Sequence, residues 1–443
     1  MATVCDASGG TTPTSPPTGN GTPAMSRRNM RLAILSACWG AIPQVMIKDS
    51  SVLVIFAALI GAGETVAVLT TAVSDLSLCL LMLPFAALSD RIGVKAQIIG
   101  AVMVSASAFL LLAATPWLGA AAKPVLLGGL TVFAVAIAAY LAAWFPMLER
   151  IVPATQRGLF FGRLRFSWQL VVTVFVFASG WYVGRHATVG RLQAIIVLAA
   201  IISLGRAYYV GRIRVPPAPT PPLRLRAALR EAVRNRALTG CGVYLFFLYL
   251  AANATIPVAF VFARNHLRLA DNLIVMLSAI SMVGLILGYS LGGHLVQRYG
   301  VKVVLLFAHV GFAVLNFVLL GVRTGRLASV MVLAATLGVY GVLVACASIA
   351  VSSQLLTLAS PANKAVSIAF GYSLYAAGQG GSRMLASVVL GSGMLADSWH
   401  VGDLLLTRYH SLFLCFGCGV IAAMLLLVLV PGFVHDVEPL PTA

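Results

Sequence analysis

Long apolar runs alternate with short polar connections along almost the whole chain. Each run is close to or above the roughly 20 residues that a helix needs to cross the hydrocarbon core of a bilayer. We therefore predict an all-α membrane protein with twelve transmembrane helices, in the runs 31–62, 65–88, 96–116, 124–147, 160–183, 190–210, 238–263, 272–296, 302–322, 327–356, 365–392 and 409–431. The first run is too long for a simple crossing, so we expect it to tilt or to break near Pro43 or between Asp49 and Ser51.

The longest polar connection separates six runs from six. Residues rich in Gly, Pro, Ser and Thr open the chain, contain no apolar run and are predicted to be disordered, and they lack the apolar middle of a signal peptide. The predicted domains are a disordered tail at 1–28, a six-helix bundle at 29–210, a cytoplasmic linker at 211–237, a second six-helix bundle at 238–432 and a tail at 433–443.

A short phrase occurs twice, as DRIGVK at 90–95 and as QRYGVK at 297–302, 207 positions later. Shifting the chain by that distance places residues 64–95 over 271–302, with ten of 32 positions identical. Glu64 then meets Asp271, which conserves the charge. Repetition over this length indicates a duplicated unit, so we expect the two bundles to be pseudo-symmetric.

Composition and charge agree with a membrane protein. Hydrophobic residues make up 60% of the chain and charged residues 9%, against about 25% charged in soluble domains. The net charge of +18 lies between apolar runs without a basic patch interleaved with aromatics, which argues against nucleic-acid binding. Alternate sides carry 20 and 8 Lys and Arg residues, which places both termini in the cytoplasm. The expected location is the bacterial inner (plasma) membrane.

With the repeated phrase and its spacing, the chain resembles the major facilitator superfamily (MFS) of secondary transporters over about residues 28–432. The family signature, Gly-x-Leu-x-Asp-Arg-x-Gly-x-Lys, stands here as AALSDRIGVK, with a second copy, GHLVQRYGVK, in which Gln297 replaces the acid. The resemblance implies a gating motif that latches the bundles on the cytoplasmic side; the alternative is that these residues only anchor the topology. The motif residues are Asp90, Arg91, Gly93, Lys95, Arg298, Gly300 and Lys302.

Four ionisable residues stand out within the predicted membrane spans: Lys48, Asp49, Asp75 and Arg383. Charges at this depth cost at least a few kcal/mol, so they are functional candidates. Because the second and eleventh helices face each other in the family fold, we expect Asp75 and Arg383 to pair across the bundles and to close the periplasmic side. The alternatives are a pair within one bundle, such as Lys48 with Asp75, or Arg383 extending to the membrane interface.

Aromatic and amide side chains on helices expected to line or flank a central cavity are candidates for holding a neutral or amphiphilic solute. They are Trp39, Gln44, Tyr140, Trp144, Asn253, Tyr340, Tyr375 and Gln379, and a packing or lipid-facing role is open for each. Gly284, Gly288 and Gly292 predict close helix packing. His294 and His309 are expected to be solvated or satisfied histidines, and neither they nor the CFGC cysteines indicate a metal site.

These features favour a secondary active transporter that moves a small solute by alternating access, with the proton as candidate coupling ion. We expect a monomer with no cofactor. No GxxxxGK[ST] loop is present, and no cluster of acids and histidines indicates an enzyme. The fifth helix lacks the Gly-Pro pair that is common in the family's drug antiporters, which favours uptake or metabolite export over multidrug efflux. The alternatives are such an efflux antiporter, or a receptor or scaffold that has kept the fold and lost transport.

Overall fold

A computed structural model of the protein describes residues 23–153, 156–216, 225–360, 364–401 and 404–429. These residues are predominantly helical, and each predicted apolar run coincides over most of its described length with one or more helices. The elements are α1 (Pro23–Lys48), α2 (Val52–Leu59), α3 (Gly63–Ile92), α4 (Val94–Ala114), α5 (Ala122–Ile151), α6 (Arg157–Val183), α7 (Val189–Arg212), α8 (Leu225–Arg234), α9 (Arg236–Ala252), α10 (Thr255–Asn265), α11 (Asp271–Leu319), α12 (Leu327–Leu358), α13 (Lys364–Ser392), β1 (Ser398–Val401), β2 (Leu404–Thr407) and α14 (Arg408–Leu429).

Two boundaries differ from the sequence prediction. The disordered tail was predicted to extend to residue 28, but α1 already begins at Pro23. Proline is accepted in the first turn of a helix because the backbone N–H that it lacks would have no partner there. The linker predicted at 211–237 contains the short helix α8. The predicted tails at 1–22 and 433–443 lie outside the described residues.

The predicted break in the first apolar run is confirmed. Helix α1 passes through Pro43 and ends at Lys48, and α2 begins at Val52. The backbone amides of Asp49 and Ser50 both donate to the Val45 carbonyl, at 2.9 and 3.1 Å. The Ser50 hydroxyl accepts a hydrogen bond from the Val52 amide at 3.2 Å, which satisfies one amide of the new helix. The break therefore exposes a helix end, with Lys48 and Asp49 beside it.

The sequence repeat is also a repeat of backbone conformation. Gly93 and Gly300, which stand 207 positions apart, have φ values of 88° and 80°. Side chains disfavour this region, whereas glycine adopts it readily. Gly93 separates α3 from α4, and Gly300 interrupts α11 at the corresponding position. Each copy of the phrase thus ends one helical segment and begins the next.

The described residues contain nine helical segments that are long and apolar enough to cross a membrane. Two of them, Val94–Ile151 with 58 residues and Asp271–Leu319 with 49, are about twice the length of one crossing. Large apolar side chains also cover the outside of the molecule, including Trp181 at 82% exposure and Leu80 at 72%. Such a surface requires lipid around it, so the chain is a multi-pass membrane protein.

A short antiparallel hairpin follows α13 and was missed by the all-helical prediction. Ser398 in β1 pairs with Thr407 in β2, and Val401 pairs with Leu404. We use "hairpin end" for the end of the molecule that carries these strands together with Glu64 and Asp271. We use "linker end" for the opposite end, which carries Gly93, Gly300 and helix α8.

Buried apolar side chains form a continuous core at the hairpin end and separate cores towards the linker end. We use "N-terminal half" for the described residues up to 216 and "C-terminal half" for those from 225 onwards. The largest cluster joins Phe56, Val68 and Val176 of the N-terminal half with Phe260 and Val275 of the C-terminal half. Two further clusters each lie within one half. A small cluster around Met82, Ala142 and Ala369 also joins the two halves, at a position closer to the linker end than the largest cluster. The two halves are therefore packed together most extensively at the hairpin end.

Candidate functional site

Glycines allow α3 and α13 to approach closely where the two halves meet. A Cβ atom added to Gly380 would lie 2.8 Å from the Leu76 side chain, which is closer than real contacts allow. At Gly391 an added Cβ would collide with Thr65. The helix–helix contact therefore requires residues without side chains at these positions. It also places Asp75 of α3 opposite Arg383 of α13.

The four intramembrane charges lie together in one group, which we call the charge cluster. The Lys48 ammonium is 2.5 Å from one Asp75 oxygen. The Arg383 guanidinium is 3.5 Å from the other Asp75 oxygen and 3.9 Å from the Asp49 carboxylate. Asp75 and Arg383 are almost fully buried, with 1% and 4% of their side chains exposed. The formal charges of the cluster sum to zero, which reduces the cost of holding them in the membrane.

Few other groups support the buried carboxylate. Besides its ion-pair contacts, Arg383 donates a hydrogen bond of 2.9 Å to the Thr71 carbonyl oxygen on α3. Among the described residues, neither Asp75 oxygen has a hydrogen-bond partner apart from its two ion-pair contacts. Lys48 ends α1, where the exposed carbonyls and the helix dipole also favour a cation. The position of Asp75 is therefore set mainly by two cations, one from each half.

The expected contact between Asp75 and Arg383 is present, and so is the alternative contact between Lys48 and Asp75. The lysine contact within the N-terminal half is the shorter of the two. The alternative in which Arg383 extends to the membrane interface is wrong, because its guanidinium is buried against α3. The contact between Arg383 and Asp49 was not predicted.

The gating-motif residues lie at the linker end. Lys95 donates a 3.2 Å hydrogen bond to the Ile213 carbonyl, just past the end of α7. A cation at a helix C-terminus satisfies carbonyls that have no partner within the helix. Arg91 is exposed, Arg298 lies 5.4 Å from the centre of the Tyr299 ring, and Lys302 is half-buried. The side chain of Asp90 lies outside the described part of the structure.

The eight candidate cavity residues do not form one group. Tyr140 and Trp144 pack inside the N-terminal half, and Tyr340 lies inside the C-terminal half, where its hydroxyl donates to the Ala252 carbonyl. Trp39 is 41% exposed and packs against Gly205 of α7.

The remaining candidates lie nearer the boundary between the halves. Asn253 donates to the Gln379 carbonyl at 3.3 Å, and the Gln379 amide donates to the Tyr375 hydroxyl at 2.7 Å. The centres of the Tyr375 and Tyr249 rings are 4.4 Å apart. Gln44 is half-buried, and its amide nitrogen has no hydrogen-bond partner among the described residues. Asn253, Tyr375 and Gln379 thus form a connected polar path, which the other five do not join.

Sequence reasoning missed two arginines because the count of Lys and Arg on alternate sides included both among the cytoplasmic bases. Arg206 lies within α7, 3% exposed, with its guanidinium 4.0 Å from the centre of the Tyr140 ring. Arg165 lies two turns inside α6 and donates a 3.3 Å hydrogen bond to the Ser352 hydroxyl of α12, in the other half. The charge count alone could not find them. The bounds of the predicted runs 160–183 and 190–210 contain both arginines and are the signal that could have found them.

Polar contacts join the two halves at the hairpin end. Both Glu64 oxygens lie 3.0 Å from the Arg408 guanidinium, and the Asn265 amide donates to Glu64 at 2.7 Å. The Asp271 carboxylate accepts from the Ala187 amide at 3.0 Å and pairs with Arg264 at 3.2 Å. The two matched acids of the repeat therefore both bridge the halves.

The surroundings of these contacts are partly open. A cavity of about 260 Å³ lies beside Glu64, Arg264 and Asn265, between α2, α3 and α10. His266, in the connection after α10, stacks on Phe262 with ring centres 5.3 Å apart. Burial lowers the pKa of His266 below its ordinary value of 6.5, so this residue is neutral at pH 7 and adds no charge there.

The packing prediction for the glycines is confirmed, and so is the prediction that His309 is a satisfied histidine. A Cβ added to Gly284 would collide with the Gly338 carbonyl, and one added to Gly288 would collide with the Val342 carbonyl. His309 lies 3.2 Å from the Tyr244 hydroxyl and 2.6 Å from the Leu305 carbonyl. Both of its ring nitrogens thus have partners.

Comparison with known proteins places this fold in a family. The family model of the Major Facilitator Superfamily matches residues 39–381. The chain therefore belongs to the major facilitator superfamily, which confirms the resemblance of the repeated motif. No curated protein sequence matches the chain.

Solved structures with the same fold include three transporters of different solutes. A D-xylose-proton symporter has a TM-score of 0.73 at 13% identity, over 94% of this chain and 99% of that one. A POT family transporter in complex with a thioalcohol-conjugated peptide has a TM-score of 0.72 at 13% identity, over 91% and 96%. A nucleoside transporter, in mutant form, has a TM-score of 0.68 at 12% identity, over 91% and 99%. At these identities the likeness concerns the fold alone.

Proposed function

We propose that the protein is a secondary active transporter that moves a small solute by alternating access between two six-helix bundles. Twelve crossings follow if the two double-length segments each cross twice and α13 crosses as well. The breaks at residues 115–121 and at Gly300 supply the required turns. The repeat between the halves supports the pseudo-symmetry on which alternating access depends. The solute would bind between the halves, where Asn253, Tyr375 and Gln379 form their polar path.

The proposed orientation places the linker end in the cytoplasm of a bacterial inner membrane. Arg206 is buried and Arg165 contacts α12 in the other half, so without these two the count of bases on the cytoplasmic side falls from 20 to 18, against 8 on the other. The excess remains large enough to set the topology. The hairpin end, where the halves share their largest core, is then the periplasmic side. The packing corresponds to a state closed towards the periplasm.

The charge cluster carries this proposal. Scaffolds have little use for four charges at membrane depth, whereas a transporter can make and break the contact between α3 and α13 as the halves move. Protonation of Asp75 would leave Lys48 and Arg383 without their shared counter-charge. The halves would then separate more easily at the hairpin end. Binding of a proton to Asp75 would thus be coupled to the opening of that end. The proton is therefore the proposed coupling ion.

The test is transport by purified protein in proteoliposomes. A counterflow screen begins with D-xylose, nucleosides and short peptides, the solutes named for the similar structures. With any transported solute, Asp75→Asn and Arg383→Gln should slow proton-driven uptake and flatten its pH dependence. The matched control is Asp397→Asn, because Asp397 is 91% exposed at the hairpin end. Wild-type rates with wild-type pH dependence in both cluster variants would contradict the proposed role.

A further inference from the structure

Arg165 is a charged residue between the halves for which the charge cluster provides no counter-charge. It lies eight residues past Arg157, the first residue of α6, or about 12 Å along the helix. Its guanidinium points away from the linker end, since it lies 5.5 Å from the centre of the Tyr289 ring. Tyr289 itself stands 11 residues before the break at Gly300. Arg165 therefore extends into the boundary between the halves and not towards water at the linker end.

The hydrogen-bonding capacity of Arg165 is only partly used. Among the described side chains, no carboxylate lies within ion-pair distance of it, and its hydrogen-bond partner is the neutral Ser352 hydroxyl. A guanidinium has five N–H donors in a planar fork that matches a carboxylate. The four charges of the cluster already balance one another. A bound anion would therefore supply the counter-charge that Arg165 lacks.

Tyr289 lies against the guanidinium and two further tyrosines lie beyond Ser352, and they indicate what else the anion would carry. The Tyr372 hydroxyl lies 2.9 Å from the Ser352 hydroxyl, so it adds a polar group next to the proposed carboxylate position. The Tyr372 and Tyr375 rings are 5.8 Å apart and lead from Ser352 towards Gln379. Aromatic faces favour a flat apolar body, while the hydroxyls can accept or donate hydrogen bonds. A carboxylate attached to an aromatic ring fits both features.

We propose that Arg165, which lies against the Tyr289 ring and beside the Ser352 and Tyr372 hydroxyls, binds the carboxylate of the transported solute, and that this solute is an aromatic monocarboxylate. The assignment rests on the proposed transport function and adds a substrate class to it. The hydrogen bond from Arg165 to Ser352 now joins α6 to α12 across the halves. A carboxylate would take over these donors and release the direct link. Binding would thus loosen the contact between the halves at the linker side.

The test measures binding to the purified full-length protein and requires no transport. Benzoate is compared with benzamide, which has the same ring and nearly the same shape but no charge. Wild-type protein should bind benzoate at least about 10-fold more tightly than benzamide, because hydrogen bonds between charged groups are worth more than neutral ones. Arg165→Gln should remove that preference, and Arg165→Lys should retain part of it.

Arg163→Gln is the matched control, because Arg163 is an exposed arginine on the same helix. It should keep the full preference for benzoate. Equal binding of benzoate and benzamide by the wild type, no binding of either, or an unchanged preference in Arg165→Gln would each overturn the proposal. If Arg165→Gln does not fold, the wild-type comparison and Arg165→Lys still decide the question.

Transport is measured separately, so the two proposals can fail independently. Benzoate counterflow in wild-type proteoliposomes is expected if both hold. Selective binding without flux of benzoate or of any solute in the screen would support the anion site and contradict the transport function. Flux of another solute without selective benzoate binding would overturn the anion site alone.

Discussion

At the residue scale, the central feature is one buried carboxylate shared by two cations. Asp75 belongs to the N-terminal half and contacts Lys48 of the same half and Arg383 of the other. An ion pair of this kind is weak evidence for stability, because desolvation offsets most of the attraction. Removing one partner is a different matter, since it leaves a charge buried and unpaired.

We expect Asp75→Asn to destabilise the protein by about 3–5 kcal/mol, because Arg383 remains charged and 4% exposed and keeps only its longer, 3.9 Å contact with Asp49 among the described carboxylates. The double variant Asp75→Asn with Arg383→Gln should recover a large part of that loss, because the poorly compensated charge is removed. Thermal unfolding of all four proteins in detergent measures the coupling between the two positions. Additive effects of the two substitutions would show that the contact carries no coupling energy.

At the element scale, glycines decide how close two helices can come and where a helix turns. Gly284 packs against the Gly338 carbonyl of α12, whereas Gly293 on the same helix has no atom within 4 Å of an added Cβ. These two positions differ in their contacts and share the helix. They therefore separate the effect of packing from the effect of helix propensity.

We expect Gly284→Ala to destabilise the protein by about 1–3 kcal/mol, because α11 and α12 must move apart to admit the methyl group. Gly293→Ala should be neutral or slightly stabilising, since alanine favours a helix more than glycine does. Midpoints of thermal unfolding compare the two. A similar loss in both variants would mean that close packing at Gly284 is not the cause.

The turn glycines give a separate prediction. Alanine at residue 300 must adopt a φ near 80° and a ψ near 165°, a region that is essentially restricted to glycine and that costs a residue with a side chain about 1–3 kcal/mol. We expect Gly300→Ala to lower the unfolding midpoint accordingly, and Gly93→Ala to do the same. Gly100→Ala is the control, because Gly100 is helical and has open space around it. Unchanged midpoints in both turn variants would contradict a requirement for positive φ.

Much of the element level could be predicted from the sequence, because apolar length, helix breaks and positive-φ glycines are local properties. The break at Asp49–Ser51 follows from polar residues within one apolar run. Partners at the site could not be predicted in the same way, since Asp49 and Arg383 are far apart in sequence and meet only through tertiary packing. Arg165 was missed because the charge count grouped it with the bases of the preceding connection. The two four-residue strands are too short to show a clear alternating pattern.

At the scale of the whole molecule, alternating access requires that the contacts closing one end can be broken. The hairpin end is held by a shared apolar core and by the bridge between Glu64 and Arg408. Reversing the charge of Glu64 or Arg408 would disrupt the bridge, whereas the apolar core carries no charge that such a change could affect. The Ser387 hydroxyl donates to the Thr65 carbonyl across the halves and is 1% exposed, so it reports on the opening of this end.

We expect Glu64→Arg and Arg408→Glu, each alone, to open the hairpin end, because each places like charges where a bridge stood. The rate at which a membrane-impermeant maleimide labels a cysteine at position 387 should rise several-fold in each, in a background without other reactive cysteines. The double variant restores opposite charges and should label at nearly the original rate. Asp397→Asn should have little effect, since its contact with Arg408 is largely solvated. If exchanging the charges fails to restore slow labelling, the effect arises from local packing and not from the bridge. Restoration would mean that this ion pair helps to set the balance between a state open at the hairpin end and a state open at the linker end. A transporter that works by alternating access requires such a balance.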